Sequence, residues 1–148
     1  MRRLSTVVVT LILATPCLPL AQSPAPSRST PASQEYVFQS GSGLLFFYVH
    51  PDKATDFEGV IARLGQVLEA SPDPGRRQQA ATWQAFRSLD KVAENAVYVF
   101  VFNPAVPGLE YDPVKILAEA APTEVQALYE RLKAAVVRVE RMSLTKLR

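Results

Sequence analysis

Residues 44–50 (LLFFYVH) form an apolar run between Gly41 and Gly43 on one side and Pro51 on the other. Aromatic and β-branched residues at that length predict a strand. The period then changes. Phe57, Val60, Ile61, Leu64, Val67 and Leu68 recur three and four residues apart, one apolar stripe on a four-turn helix. Asp52 or Thr55 can cap it, Thr55 with Glu58 in the form of a capping box, and Ser71-Pro72-Asp73-Pro74-Gly75 stops it. Strands are predicted next at residues 82–89 (TWQAFRSL) and 96–102 (AVYVFVF), with residues 90–95 short enough for a hairpin. Asp112-Pro113, a capping residue followed by proline at the first helical position, opens a short helix that Pro122 interrupts. Residues 123–136 resume it with Val125, Leu128, Leu132 and Val136 on one face. Residues 139–147 read as a last strand, in preference to a helical extension. The resulting order, β-α-β-β-α-β, is that of an α+β domain with a ferredoxin-like antiparallel sheet and both helices on one face.

Alternation along the strong strands gives that sheet two apolar faces. Leu45, Phe47 and Val49 share one face of the first strand, and Leu44, Phe46, Tyr48 and His50 share the other. In the third strand Val97, Val99 and Val101 alternate with Ala96, Tyr98, Phe100 and Phe102. The helices bury one face only. Small branched valines fit beneath helices, so the expectation is an uncovered aromatic face of Phe46, Tyr48, Tyr98, Phe100 and Phe102. Each aromatic side chain typically buries about 150–250 Å², so such a face exceeds what a soluble monomer leaves bare. A second copy of the chain, sheet against sheet across a two-fold axis, is the simplest cover.

The ends of the chain change this picture in one respect. Arg2 and Arg3 precede an apolar run at residues 6–13 (TVVVTLIL), and Pro16 and Pro19 follow it: the form of a secretory signal, with cleavage placed after Ala21. The run falls short of the ~20 residues of a membrane span, so no stable insertion is expected once it is removed. Cys17 raises the alternative of a lipidated N-terminus, but Pro16 stands where that signal wants a small residue; the cysteine is read as discarded with residues 1–21. Residues 22–34 (QSPAPSRSTPASQ) have little to bury and read as a solvated linker, leaving residues 35–148 as a single domain in the periplasm or outside the cell. Without Arg2 and Arg3 the 16 basic residues become 14, equal to the 14 acidic ones. Such a balance argues against nucleic acid or an anionic membrane as partner. The mature chain also has no cysteine, so it rests on its core alone.

The βαββαβ order and doubly apolar sheet resemble the dimeric α+β-barrel superfamily, which includes antibiotic-biosynthesis-monooxygenase-like and stress-responsive barrel proteins. The likeness spans residues 36–147 and is one of pattern. Residues 95–129 (NAVYVFVFNPAVPGLEYDPVKILAEAAPTEVQALY) are similar to a stretch of an exported bacterial family of uncharacterised proteins. The resemblance implies a homodimeric barrel. In its monooxygenase-like members a cavity within each barrel holds a polycyclic substrate near Trp, Asn or His residues. It transfers no site residue onto this chain.

Candidate chemistry is sparse. His50, the one histidine, could act as a base beside Tyr48 or Tyr98, against the plainer reading of a solvent-facing strand end. Alone it cannot build a multi-histidine metal site, and neither a metal nor a cofactor is expected. Trp83, the one tryptophan, shares a face with Ala85, Arg87 and Leu89; it is either a pocket wall or core and dimer packing. Arg87 could hold an anion by its planar fork, or pair with an acid at the surface. Arg76-Arg77 read as a solvated loop, and Asp52, Asp56 and Glu58 as charges favoured at a helix start. Neither Ser-His-Asp spacing nor a phosphate-binding glycine loop is present, since Gly41-Ser42-Gly43 precedes its strand.

Three function classes follow. The first, preferred because the inward-facing set offers few converging polar groups, is a non-catalytic barrel that binds a small apolar ligand or serves as a homodimeric module. The second is a cofactor-independent monooxygenase-like or isomerase-like enzyme. The third is a structural protein with a different partner on its aromatic face. Phe46, Tyr48, His50, Trp83, Arg87, Tyr98, Phe100 and Phe102 are the residues expected at the ligand pocket or dimer face.

Overall fold

Four strands and four helices form an α+β domain in the computed structural model, which describes residues 36–39 and 41–147. The signal, Cys17 and the linker lie outside the described residues. Strand β1 (Ser42–Val49) leads through a 3-10 turn at Pro51–Lys53 into α1 (Ala54–Glu69). Helix α1 buries Phe57, Val60, Leu64, Val67 and Leu68 of the stripe read from the sequence and leaves Ile61 half-buried. Its start differs from expectation: Lys53 is the capping residue without a side-chain cap, and Thr55 lies inside the first turn. The 3-10 turn already occupies the position a capping box would have needed.

The Pro-Gly segment that ends α1 also begins α2 (Pro74–Thr82). Asp73 accepts a hydrogen bond from the Gly75 N–H at 3.0 Å, and Pro74 fills the first helical position, where no N–H is needed. Strand β2 (Trp83–Arg87) follows without a loop, and a hairpin joins it to β3 (Ala96–Phe102). Val92 and Asn95 exchange backbone hydrogen bonds across that turn, with Ala93 and Glu94 both at positive φ. Helices α3 (Pro113–Ala120) and α4 (Val125–Ala135) then lead into β4 (Val136–Leu144). Asp112 caps α3 as its sequence signal requires, accepting from the Val114 N–H at 2.8 Å.

The sheet is open and antiparallel, in the order β2-β3-β1-β4. Its final strand pairs with β1 of the same chain, Phe47 opposite Val139 and Leu45 opposite Arg141. The register corrects the expected division of the faces. Leu45 lies opposite Phe100 and Phe47 opposite Tyr98, whereas Phe46 lies opposite Val99 and Tyr48 opposite Val97. Directly paired residues point to the same side. Tyr98, Phe100 and Phe102 therefore join Leu45, Phe47 and Val49 beneath the helices, and the β3 valines join Phe46 and Tyr48 on the other side. Large rings suit the helix side because α1 brings Phe57 into it: the Phe57 ring lies 4.7 Å from Tyr98 and 5.4 Å from Phe47.

The core continues to the end of the sheet, where Phe38 stacks 5.1 Å from Tyr111 and 5.5 Å from Phe102. The Phe38 ring lies over Gly43 so closely that a Cβ there would fall 2.2 Å from it. Only glycine permits that approach.

Candidate functional site

The helix-covered side carries two polar clusters of different character. The first joins α2 to the segment before α3. Arg76, buried, donates from Nη1 to Gln79 Oε1 (3.0 Å) and to the Glu110 carbonyl (2.8 Å), and from Nη2 to Glu119 Oε2 (2.6 Å). The fully buried Gln79 donates to the same carbonyl at 3.1 Å. The Glu110 carboxylate accepts from the backbone N–H groups of Tyr36, Tyr111 and Asp112 and from Lys115 Nζ at 2.6 Å. Burial would raise the Glu110 carboxyl, but the hydrogen bonds from Lys115 and from two of those N–H groups hold it below its ordinary range. Arg76 was expected in a solvated loop. It is instead a structural clamp, because α2 turns it inward, while Arg77 donates to the Ser71 and Pro72 carbonyls beyond the end of α1.

The second cluster lines a cleft of about 220 Å³ between α1 and the edge strand β2. Glu58 Oε1 accepts from Tyr98 Oη at 2.6 Å and from Arg87 Nη1 at 3.0 Å, and the Arg87 guanidinium lies 5.8 Å from the centre of the Tyr98 ring. Burial, reinforced by the hydrogen bond to Glu58, pushes the Tyr98 hydroxyl up to about 12. Phe57, Ile61 and Phe100 supply the apolar wall, with Ala85 and Phe86 of β2 at its rim. Trp83 packs edge-on against Phe100 at 5.1 Å, and its buried Nε1 has no hydrogen-bond partner among the described residues.

Four of the eight expected site residues thus gather on one side of one cleft: Arg87, Tyr98 and Phe100 line it, and Trp83 adjoins it. Phe102 shares their face but packs with Phe38 and Tyr111 at the other end. Phe46 and Tyr48 are on the opposite face. The Arg138 guanidinium lies 3.8 Å from the Tyr48 ring centre, and Tyr48 Oη donates to Glu140 at 3.0 Å. His50 is exposed at the strand end, its ring without a hydrogen bond among the described residues. It is paired with neither tyrosine: the Tyr48 hydroxyl donates to Glu140 and that of Tyr98 to Glu58. Sequence reasoning missed Glu58, read there as a helix-start charge. Its signal was its place beside Phe57 and three residues before Ile61, at the border of the buried stripe.

The other side of the sheet is a field of apolar side chains. Leu44, Phe46, Val99, Val101 and Leu144 are half-buried, and Phe86 and Met142 at the two edges are 52% and 50% exposed. None of them belongs to the core cluster beneath the helices or to the partly buried residues packed against it. Comparison with protein-family models, with curated proteins and with solved structures finds no match.

Proposed function

We propose that this chain is an exported, non-catalytic, homodimeric module in which the open sheet face of one copy closes on that of a second. The observation that carries the reading is the apolar field of Leu44, Phe46, Val99 and Val101 between the half-exposed Phe86 and Met142. Full burial of one such side chain contributes about 1.5–3 kcal/mol, so leaving the set in water is unfavourable. A second copy suits it because the margin carries both signs: Arg138 and Glu140 stand side by side on β4, each about half exposed. A two-fold axis can set each against the opposite charge of its partner. The strand order β2-β3-β1-β4 supports a ferredoxin-like sheet, and with it the resemblance to dimeric α+β barrels. Against catalysis on this face stands its polar content: Tyr48, Arg138 and Glu140 are already joined to one another.

Native mass spectrometry and light scattering of the purified protein test the reading. A dimer at micromolar concentration is expected, and Phe86→Glu with Met142→Lys, both at exposed positions, is expected to yield folded monomer. A wild-type monomer overturns it. Export is tested by sequencing the N-terminus of protein recovered from an envelope fraction, where the chain is expected to begin at Gln22.

A further inference from the structure

We infer that the cleft between α1 and β2 binds a small neutral aromatic molecule carrying one O–H or N–H donor, a phenol being the simplest case. The walls are Phe57 and Ile61 from α1 and Phe100 from β3, surfaces against which a ring packs edge-on or offset, and β2 closes the edge at Ala85. At about 220 Å³ the cavity is smaller than the roughly 300–1,000 Å³ of sites for drug-sized ligands, which limits the occupant to one or two rings. Charge decides the rest. Glu58 and Arg87 sum to zero, so an anionic ligand meets Glu58 and a cationic one meets Arg87, and neither finds a net counter-charge. What the cleft offers is an acceptor. Glu58 Oε1 is occupied by Tyr98 and Arg87, whereas Oε2 takes no hydrogen bond from a described residue. Those two donors hold the carboxylate in place, so little side-chain freedom is lost when a ligand donor reaches it.

The site meets the proposed dimer face only at Phe86, whose side chain points to that face; its other walls belong to the helix-covered side. Trp83, the one tryptophan of the chain, reports on it. Its ring touches Phe100, and its indole N–H gives a single resonance in a nitrogen-15 spectrum.

The test is to titrate labelled protein with p-cresol and with 4-methylanisole, the same ring without a donor. Expected is a saturable shift of the Trp83 indole resonance with p-cresol, at an affinity at least fivefold above that for 4-methylanisole. Ala85→Leu, which fills the cleft from the exposed edge strand, is expected to abolish the shift while the rest of the spectrum stays dispersed. Glu58→Gln is expected to weaken p-cresol about fivefold and leave 4-methylanisole unchanged. Equal affinity for the two compounds, no saturable shift, or a response that survives Ala85→Leu overturns the inference. If Ala85→Leu does not fold, an undiminished preference for p-cresol in Glu58→Gln overturns it. Light scattering reads the dimer independently, so either proposal can fail without the other.

Discussion

The two polar clusters on the helix side look alike in composition and differ in completeness. Around Arg76 and Glu110 the donors and acceptors close on one another: Arg76 binds three oxygens, and one carboxylate gathers three backbone N–H groups and a lysine. Around Glu58 the network stops halfway, with one oxygen doubly engaged and the other without a partner among the described residues, in an aromatic cleft next to a buried indole N–H that has none among them either. A saturated cluster stabilises the fold and has nothing left with which to bind. An unsaturated one beside a cavity stabilises less and keeps its capacity for a ligand.

Substitutions separate the two. Arg76→Met leaves the buried Gln79 Oε1 without its donor and the Glu110 carbonyl with Gln79 alone, and is expected to cost about 2–3 kcal/mol in urea unfolding. Glu110→Gln is expected to cost about 1–2 kcal/mol at neutral pH, since Lys115 and three N–H groups lose a charged acceptor. The same variant should blunt acid denaturation. With its carboxyl held below the unfolded value, Glu110 contributes stability above that value, and the contribution disappears as pH falls through the folded one. Tyr98→Phe is expected to cost about 1 kcal/mol or less. Its signature is at the alkaline end. Because Tyr98 is raised from 10.0 to about 12, the wild type keeps its contribution below pH 10 and loses it as pH climbs to about 12, a loss absent in the phenylalanine variant. Glu58→Gln, at a side chain 47% exposed, is expected to change stability by under about 0.5 kcal/mol. A cost at Glu58 equal to that at Arg76 would erase the distinction between the clusters.

Much of this architecture was legible in the residues. The stripe from Phe57 to Leu68, the Asp112-Pro113 cap and the strand at residues 96–102 stand where they were read, and the run at 44–50 falls in β1, which starts two residues earlier and ends one residue sooner. Helix α2 was hidden because it has almost no apolar period: PGRRQQAAT buries only Arg76 and Gln79, and Pro74-Gly75 reads as a stop. The hairpin lacks the Asn-Gly usual for two consecutive positive φ values, placing Ala93 and Glu94 there instead. The sorting of the sheet faces failed for a different reason. Alternation within a strand says which residues share a side, but which side of β1 meets which side of β3 depends on pairing, and both strands are apolar on both sides. The same ambiguity divided the expected site, since Phe46 and Tyr98 differ only in which way their strands face.

The place of β1 has a consequence for how the chain assembles. Its neighbours on either side come from late in the sequence: Tyr48 pairs with Val97 and, ninety residues on, with Arg138. No hairpin can complete this strand locally. This strongly apolar segment therefore has unpaired edges until two distant stretches arrive, and loop closure over such spans is slow. Until then LLFFYV is a segment open to aggregation. Completing the sheet therefore depends on contacts made across most of the domain.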